Sequence, residues 1–306
     1  MRLLLLFCLV FLSACQPQTT ERGDGPIRIV ATTSIVGDLA RQIAGDAATV
    51  EALMGAGVDP HLYQASQGDV QTLGNADLIL YSGLHLEGRM EEVFEQMDRL
   101  GRPTFAVTDD LPRDSLVASA NYPGQADPHV WMSVPLWRRA AERTAQALID
   151  FDPENAEIYR SNRDAYLSRL DALDADLRTI LSRVPPDRRV LVTAHDAFNY
   201  FGRTYGFRVE GLQGISTATE AGTADVQNLA ASIASRRIPA IFVESSVSPR
   251  SIEAVQEAVR SRGHDVQIGG SLFSDALGDD GTPAATYEGM MRANITTIAD
   301  ALAPDA

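Results

Sequence analysis

The sequence predicts an α/β protein of two lobes, each with a parallel-type sheet, joined by one long rigid backbone helix. Two observations carry this. On either side of the middle of the chain, short β-branched apolar runs alternate with amphipathic segments, the pattern of strands buried on both faces by helices. Between them, residues 152 to 184 read as a single rod: Asp152 is placed to cap it, Pro153 suits a first helical position, and Glu154 complements the positive end of the dipole. Tyr159, Tyr166, Leu170, Leu173, Leu177, Ile180 and Val184 then follow steps of three and four, and Pro185-Pro186 forbids continuation. Such a rod would be roughly 45–50 Å long, wider than an ordinary domain core. A single segment of this kind between two α/β halves is better read as a strut for both than as a coiled-coil dimerisation helix.

Each element follows in order. Residues 1–15, MRLLLLFCLVFLSAC, have one Arg, an apolar run too short to span a bilayer, and small residues ending in Cys. Leu12-Ser13-Ala14-Cys15 has the form of a bacterial lipobox, so Cys15 is expected to become the lipidated first residue. Cys8 is then removed and Cys15 is occupied by lipid, which leaves no disulfide in an exported chain. Residues 16–26 have the polar composition of a flexible tether.

The first lobe, 27–150, opens with a strand over 28–33, a helix through Ile35, Leu39 and Ile43 stopped by Gly45, and a strand over 50–54. A Gly-rich loop leads through Pro60-His61 to a helix near 66–76. A strand at 78–81, a helix over 87–100 and a strand at 104–107 follow, then an irregular stretch from 109 to 127 and a helix over 134–149. The strut takes 151–186. The second lobe, 187–306, alternates strands at 189–193, 209–212, 240–243 and 266–268 with helices at 197–205, 223–235, 250–262 and 284–302.

Composition excludes several functions. The net charge of −15 argues against nucleic-acid binding. All basic residues are Arg, which removes both the P-loop Lys and Schiff-base Lys chemistry. If ATP drives the function, another chain supplies it.

The chemistry lies in the five His. Asp59-Pro60-His61-Leu62-Tyr63 is echoed by Asp127-Pro128-His129-Val130-Trp131, an acid-Pro-His-aliphatic-aromatic frame in which proline stiffens the presentation of the imidazole. His61 follows a strand and loop, the position where open α/β sheets bind ligands; His129 fits that rule more loosely. His195 follows the first strand of the second lobe, and Asp275 follows the last. Three imidazoles and a carboxylate, two from each lobe, would fill a site for a first-row divalent metal such as zinc or manganese. His85 and His264 suit structural or surface positions better. Glu220 and Glu244 are candidates for carboxylates that orient a ligand His, and the sequence does not choose between them.

These segments, with Gly57-Val58-Asp59-Pro60-His61, Thr193-Ala194-His195-Asp196-Ala197-Phe198, Gly211-Leu212-Gln213-Gly214-Ile215-Ser216-Thr217 and Leu272-Phe273-Ser274-Asp275, together resemble the metal-binding solute-binding lipoproteins of ABC importers, in particular the TroA-like zinc/manganese group. The similarity covers about 27 to 302. It implies one metal in the interlobe cleft on His61, His129, His195 and Asp275. It also implies a lipid-anchored, monomeric protein outside the cytoplasm, in the periplasm or on the outer face of the cytoplasmic membrane, that hands metal to a permease served by a separate ATPase. A stiff helix in place of flexible hinges implies small lobe tilts on release. The His-rich loop of zinc-dedicated members is missing, since 109–125 contains no His; strict manganese members tend to carry Glu where this chain has His195. Both metals are therefore expected to bind.

Two rival functions are weaker. A zinc-dependent periplasmic hydrolase needs an open metal position and a general base, whereas this set offers four protein ligands and no H-E-x-x-H. Adhesion, a role attached to some members by name, has no evident surface in these residues.

Overall fold

The structure, a computed structural model, describes residues 25–119 and 124–303. The expected signal segment with Cys15, and residues 16–24 of the expected tether, lie outside the described residues.

The first lobe is built on β1 (Ile27–Thr33), whose near-continuous burial reflects coverage on both faces. Then come α1 (Ser34–Ala44), β2 (Ala48–Met54), α2 (Gln67–Asn75), β3 (Leu78–Tyr81), α3 (Glu91–Arg99) and β4 (Thr104–Ala106). The strands form one parallel sheet in the order β2-β1-β3-β4. Local chemistry fixes the helix starts: Thr33 Oγ1 accepts the Val36 N–H, and Ser66 and Asp69 close a reciprocal capping box on α2. Residues 87–90, predicted as helix, instead begin as a short 3-10 turn, because the Glu87 side chain is drawn inward to accept from Thr32 Oγ1 and the Ser82 N–H.

A pair of helices crosses the middle, α4 (Val134–Phe151) and α5 (Ala156–Leu181). Asp152 does not cap the strut by a side-chain bond. A 3-10 turn over Pro153–Asn155 starts it, and the buried Asp152 carboxylate accepts from Tyr159 Oη at 2.6 Å. Tyr159, Tyr166, Leu170, Leu173, Leu177 and Val184 are buried as their spacing predicts, but Leu181 replaces Ile180 in the stripe, four residues after Leu177. At 1.5 Å per residue, α5 is about 39 Å long. It packs on α1 of the first lobe and on α9 (Tyr287–Leu302) of the second, so one hydrophobic core runs along it through both lobes.

The second lobe continues with β5 (Val190–His195), α6 (Asn199–Tyr205), β6 (Arg208–Gln213), α7 (Thr223–Arg236), β7 (Ala240–Glu244), α8 (Arg250–Arg260) and β8 (Gln267–Leu272). All pairing is parallel, as two ladders, β5-β6 and β7-β8, with β5 and β7 side by side. β5 runs two residues beyond its predicted end, so His195 is the last residue of the strand rather than the first of the loop.

Polar bonds stitch the lobes together away from the strut. Trp131 Nε1 donates to Ser274 O at 2.8 Å, Ser34 Oγ accepts the Leu277 N–H, Asp38 Oδ2 accepts the Tyr287 N–H, and Tyr287 Oη donates to Trp131 O.

Candidate metal centre

The ends of separate elements deliver the four side chains that the sequence singled out. His61 comes from the loop after β2. His129 precedes a 3-10 turn (Val130–Met132) at the start of α4, not a strand, which is why the strand-end rule fitted it loosely. His195 closes β5, and Asp275 follows β8. The β5 end is held close by β6: a Cβ on Gly211 would stand 2.7 Å from His195 C and 2.6 Å from Asp196 N, so only glycine permits this approach.

Their ligand atoms converge within 4.8 Å of one another, and all four residues are buried. His61 Nε2 lies 3.3 Å from His129 Nε2, and Asp275 places Oδ1 3.4 Å from His129 Nε2 and Oδ2 3.4 Å from His195 Nε2. A tetrahedron with metal bonds of about 2.0–2.1 Å has edges of about 3.4 Å, so these separations fit one small cation bound between them. Two facing imidazole Nε2 atoms cannot satisfy each other when both carry lone pairs. Among the described residues, the nearest polar neighbours of His195 Nε2 and Asp275 Oδ1 are the other members of the cluster at 3.4 Å, as for buried ligand atoms aimed at a common metal.

The outer atoms fix which nitrogen faces inward. Asp127 Oδ1 is 2.7 Å from His129 Nδ1, and Glu244 Oε2 is 2.6 Å from His195 Nδ1 while its Oε1 accepts the His195 N–H at 2.9 Å. A carboxylate at Nδ1 keeps the proton there and leaves Nε2 free to bind metal. Ser246 Oγ donates to Asp275 Oδ2 at 3.2 Å. Of the two candidate carboxylates, the structure brings Glu244 against His195, whereas Glu220 is exposed on the loop before α7, away from the cluster. Asp127 is the orienting residue that sequence reasoning missed. Its signal lies in the Asp-Pro-His frame itself, in which an acid stands two residues before each His.

Charge in the cluster is finely set. Burial lowers His61 to about 3. At His129 burial also works downward, but Asp127 and then Asp275 outweigh it and lift the imidazole to about 9. Glu244 and Asp275 likewise overcome burial at His195 and hold it well above its ordinary value. Burial would raise Asp275, yet His195 and His129 hold it well below the carboxylate range. Metal-free, the site thus favours protons on two imidazoles between three carboxylates; a divalent cation can replace two protons with no change in net charge.

His85 sits at the mouth of a cleft of about 450 Å³ that reaches His61 between the lobes, and its Nδ1 pairs with Glu91. His264, expected at the surface, is half-buried and its Nε2 bonds the carbonyl of Ile238, a residue of a separate hydrophobic core of the second lobe.

Residues 29–301 match the family described as zinc-uptake complex component A, periplasmic. The chain is 49% identical over 280 residues to the zinc-binding protein TroA of Treponema pallidum (strain Nichols), spanning 92% of this chain and 90% of that protein. It is 46% identical over 299 residues to the manganese-binding lipoprotein MntA of Bacillus subtilis (strain 168), spanning 97% of each. The solved structure of the periplasmic zinc-binding protein TroA from Treponema pallidum superposes with a TM-score of 0.88 at 49% identity, covering 91% of this chain and all of that one.

Proposed function

The chain belongs to the family of periplasmic zinc-uptake components, and from that premise we propose that it is the extracytoplasmic substrate-binding component of an ABC importer, capturing a divalent metal ion and delivering it to a membrane permease. The observation that carries this reading is the buried convergence of His61, His129, His195 and Asp275, four protein donors spaced for one cation. A closed set of donors suits capture and release of cargo. A hydrolytic zinc would need an open position.

Zinc and manganese are both cargo candidates. Three imidazoles favour zinc, and Asp275, with one oxygen toward each neighbouring His, offers the hard, bidentate donor that manganese accepts. The relatives named above divide in the same way, one zinc-binding and one manganese-binding. In this reading Cys15 carries the lipid anchor, residues 16–26 span from membrane to lobe, the protein works as a monomer, and a separate ATPase subunit energises the permease. No helix among the described residues is long and apolar enough to cross a membrane. The core shared along α5 favours small tilts of the lobes over a wide hinge opening.

The test is competitive binding of zinc and manganese to chelator-stripped protein, with metal counted per chain and His129→Ala beside it. One metal per wild-type chain and a large loss in the variant is the expected result. A wild-type chain that binds neither, or a variant that binds equally well, refutes the proposal.

A further inference from the structure

The two Asp-Pro-His frames share more than sequence. In each, Asp Oδ1 accepts the backbone N–H of the His two residues on, at 2.9 Å for Asp59 with His61 and at 2.9 Å for Asp127 with His129. In each, Oδ2 is left to a donor from the opposite lobe. Asp59 Oδ2 accepts from Thr217 Oγ1 at 2.6 Å, and Asp127 Oδ2 accepts from Asn199 Nδ2 at 3.1 Å. Thr217 lies on the loop after β6 that borders the cleft above His61; Asn199 is the first residue of α6.

We infer that the Asp of each frame is a coupler, and that Thr217 and Asn199 are positioning residues through which the second lobe sets the residence time of metal on the first lobe's two ligands. This rests on the functional reading above and adds to it the residues that govern release. The physical reason lies in the geometry. A His held only by its own loop can swing away as the loop breathes. A His whose backbone amide is bonded to a carboxylate that is itself bonded across the cleft leaves only when the lobes part or that bond breaks. Bonds from neutral donors to a carboxylate are stronger than neutral pairs, and both are partly buried, with Asp127 itself fully so. The two frames use different donors, a hydroxyl and an amide, for the same task. That recurrence is hard to ascribe to packing alone. Tilting the second lobe, as docking to a permease would, lengthens both bonds together and loosens two of the four metal ligands at once.

The experiment uses the full chain in detergent, loaded with zinc and mixed with excess chelator; release is followed by fluorescence of Trp131, whose ring centroid is 5.2 Å from that of His129. Thr217→Val keeps the shape and removes the donor, Thr217→Ser keeps the donor, and Asn199→Ala removes the second one. Thr217→Val and Asn199→Ala should each release zinc about tenfold faster, the scale of one lost charge-assisted hydrogen bond, with Thr217→Ser restoring the wild-type rate. If either donor-removing variant releases zinc at the wild-type rate, or Thr217→Ser is as fast as Thr217→Val, the coupling is refuted while the functional reading stands. A wild-type chain that takes up no zinc overturns both.

Discussion

Glu244 is the sharpest single test of how the site is held. It closes β7 with both oxygens engaged, one accepting the His195 N–H at 2.9 Å and the other 2.6 Å from His195 Nδ1. Glu244→Gln keeps the shape but has only one acceptor oxygen, so its NH2 must face one of two N–H groups. Either the backbone bond is lost or the imidazole loses the carboxylate that keeps its proton on Nδ1. Losing one buried charge-assisted bond costs about 1.5–3 kcal/mol, which predicts a fall in zinc affinity of roughly 10–100-fold. The assay is competition with a chromophoric chelator of known affinity at fixed pH. Glu220→Gln is the internal control, because Glu220 is exposed and should leave the affinity unchanged. A Glu244→Gln protein within about threefold of wild type would refute the argument that Nδ1 pairing tunes the ligand.

Four further outcomes are expected. Metal uptake should expel protons: His129 holds its proton up to about 9 in the metal-free protein, so affinity should rise with pH to that point and fall on acidification by about tenfold per pH unit for each proton displaced. Titration calorimetry in buffers of different ionisation enthalpy counts those protons, and a count of zero would contradict the charge assignment. The same group gives the metal-free protein the opposite trend. Its pKa lies above the unfolded value of about 6.5, so its stabilisation is complete below that pH and is lost as pH climbs through 9; melting of apo protein across this window checks the sign. Asp275→Asn should weaken manganese more than zinc, since the hard anionic donor matters most to the harder ion, and equal losses in paired competition titrations would argue against the assigned role of its two oxygens. On the strut, Leu173→Ala at a fully buried position should cost about 2–5 kcal/mol by denaturant unfolding.

The sequence by itself determined the α/β class, the strut and the four side chains, His61, His129, His195 and Asp275, that converge in one buried cluster, because each of these is written in local spacing. Steps of three and four put Leu170, Leu173 and Leu177 on one helix face wherever the helix lies, and proline beside His61 and His129 stiffens those loops whatever surrounds them. Strand ends, where His195 and Asp275 were sought, follow from apolar runs. Tertiary structure alone decided which carboxylates serve them. Position in the sequence does not separate Glu220 from Glu244. Only the adjacency of β5 and β7 brings Glu244 against His195, while the loop before α7 carries Glu220 out to solvent. Likewise nothing in the spacing joins Thr217 to Asp59 or Asn199 to Asp127, residues distant in sequence that meet because the core along α5 closes one lobe on the other. Which side chains can meet in the cluster is a property of short segments; their orientation and charge are properties of the packing between them.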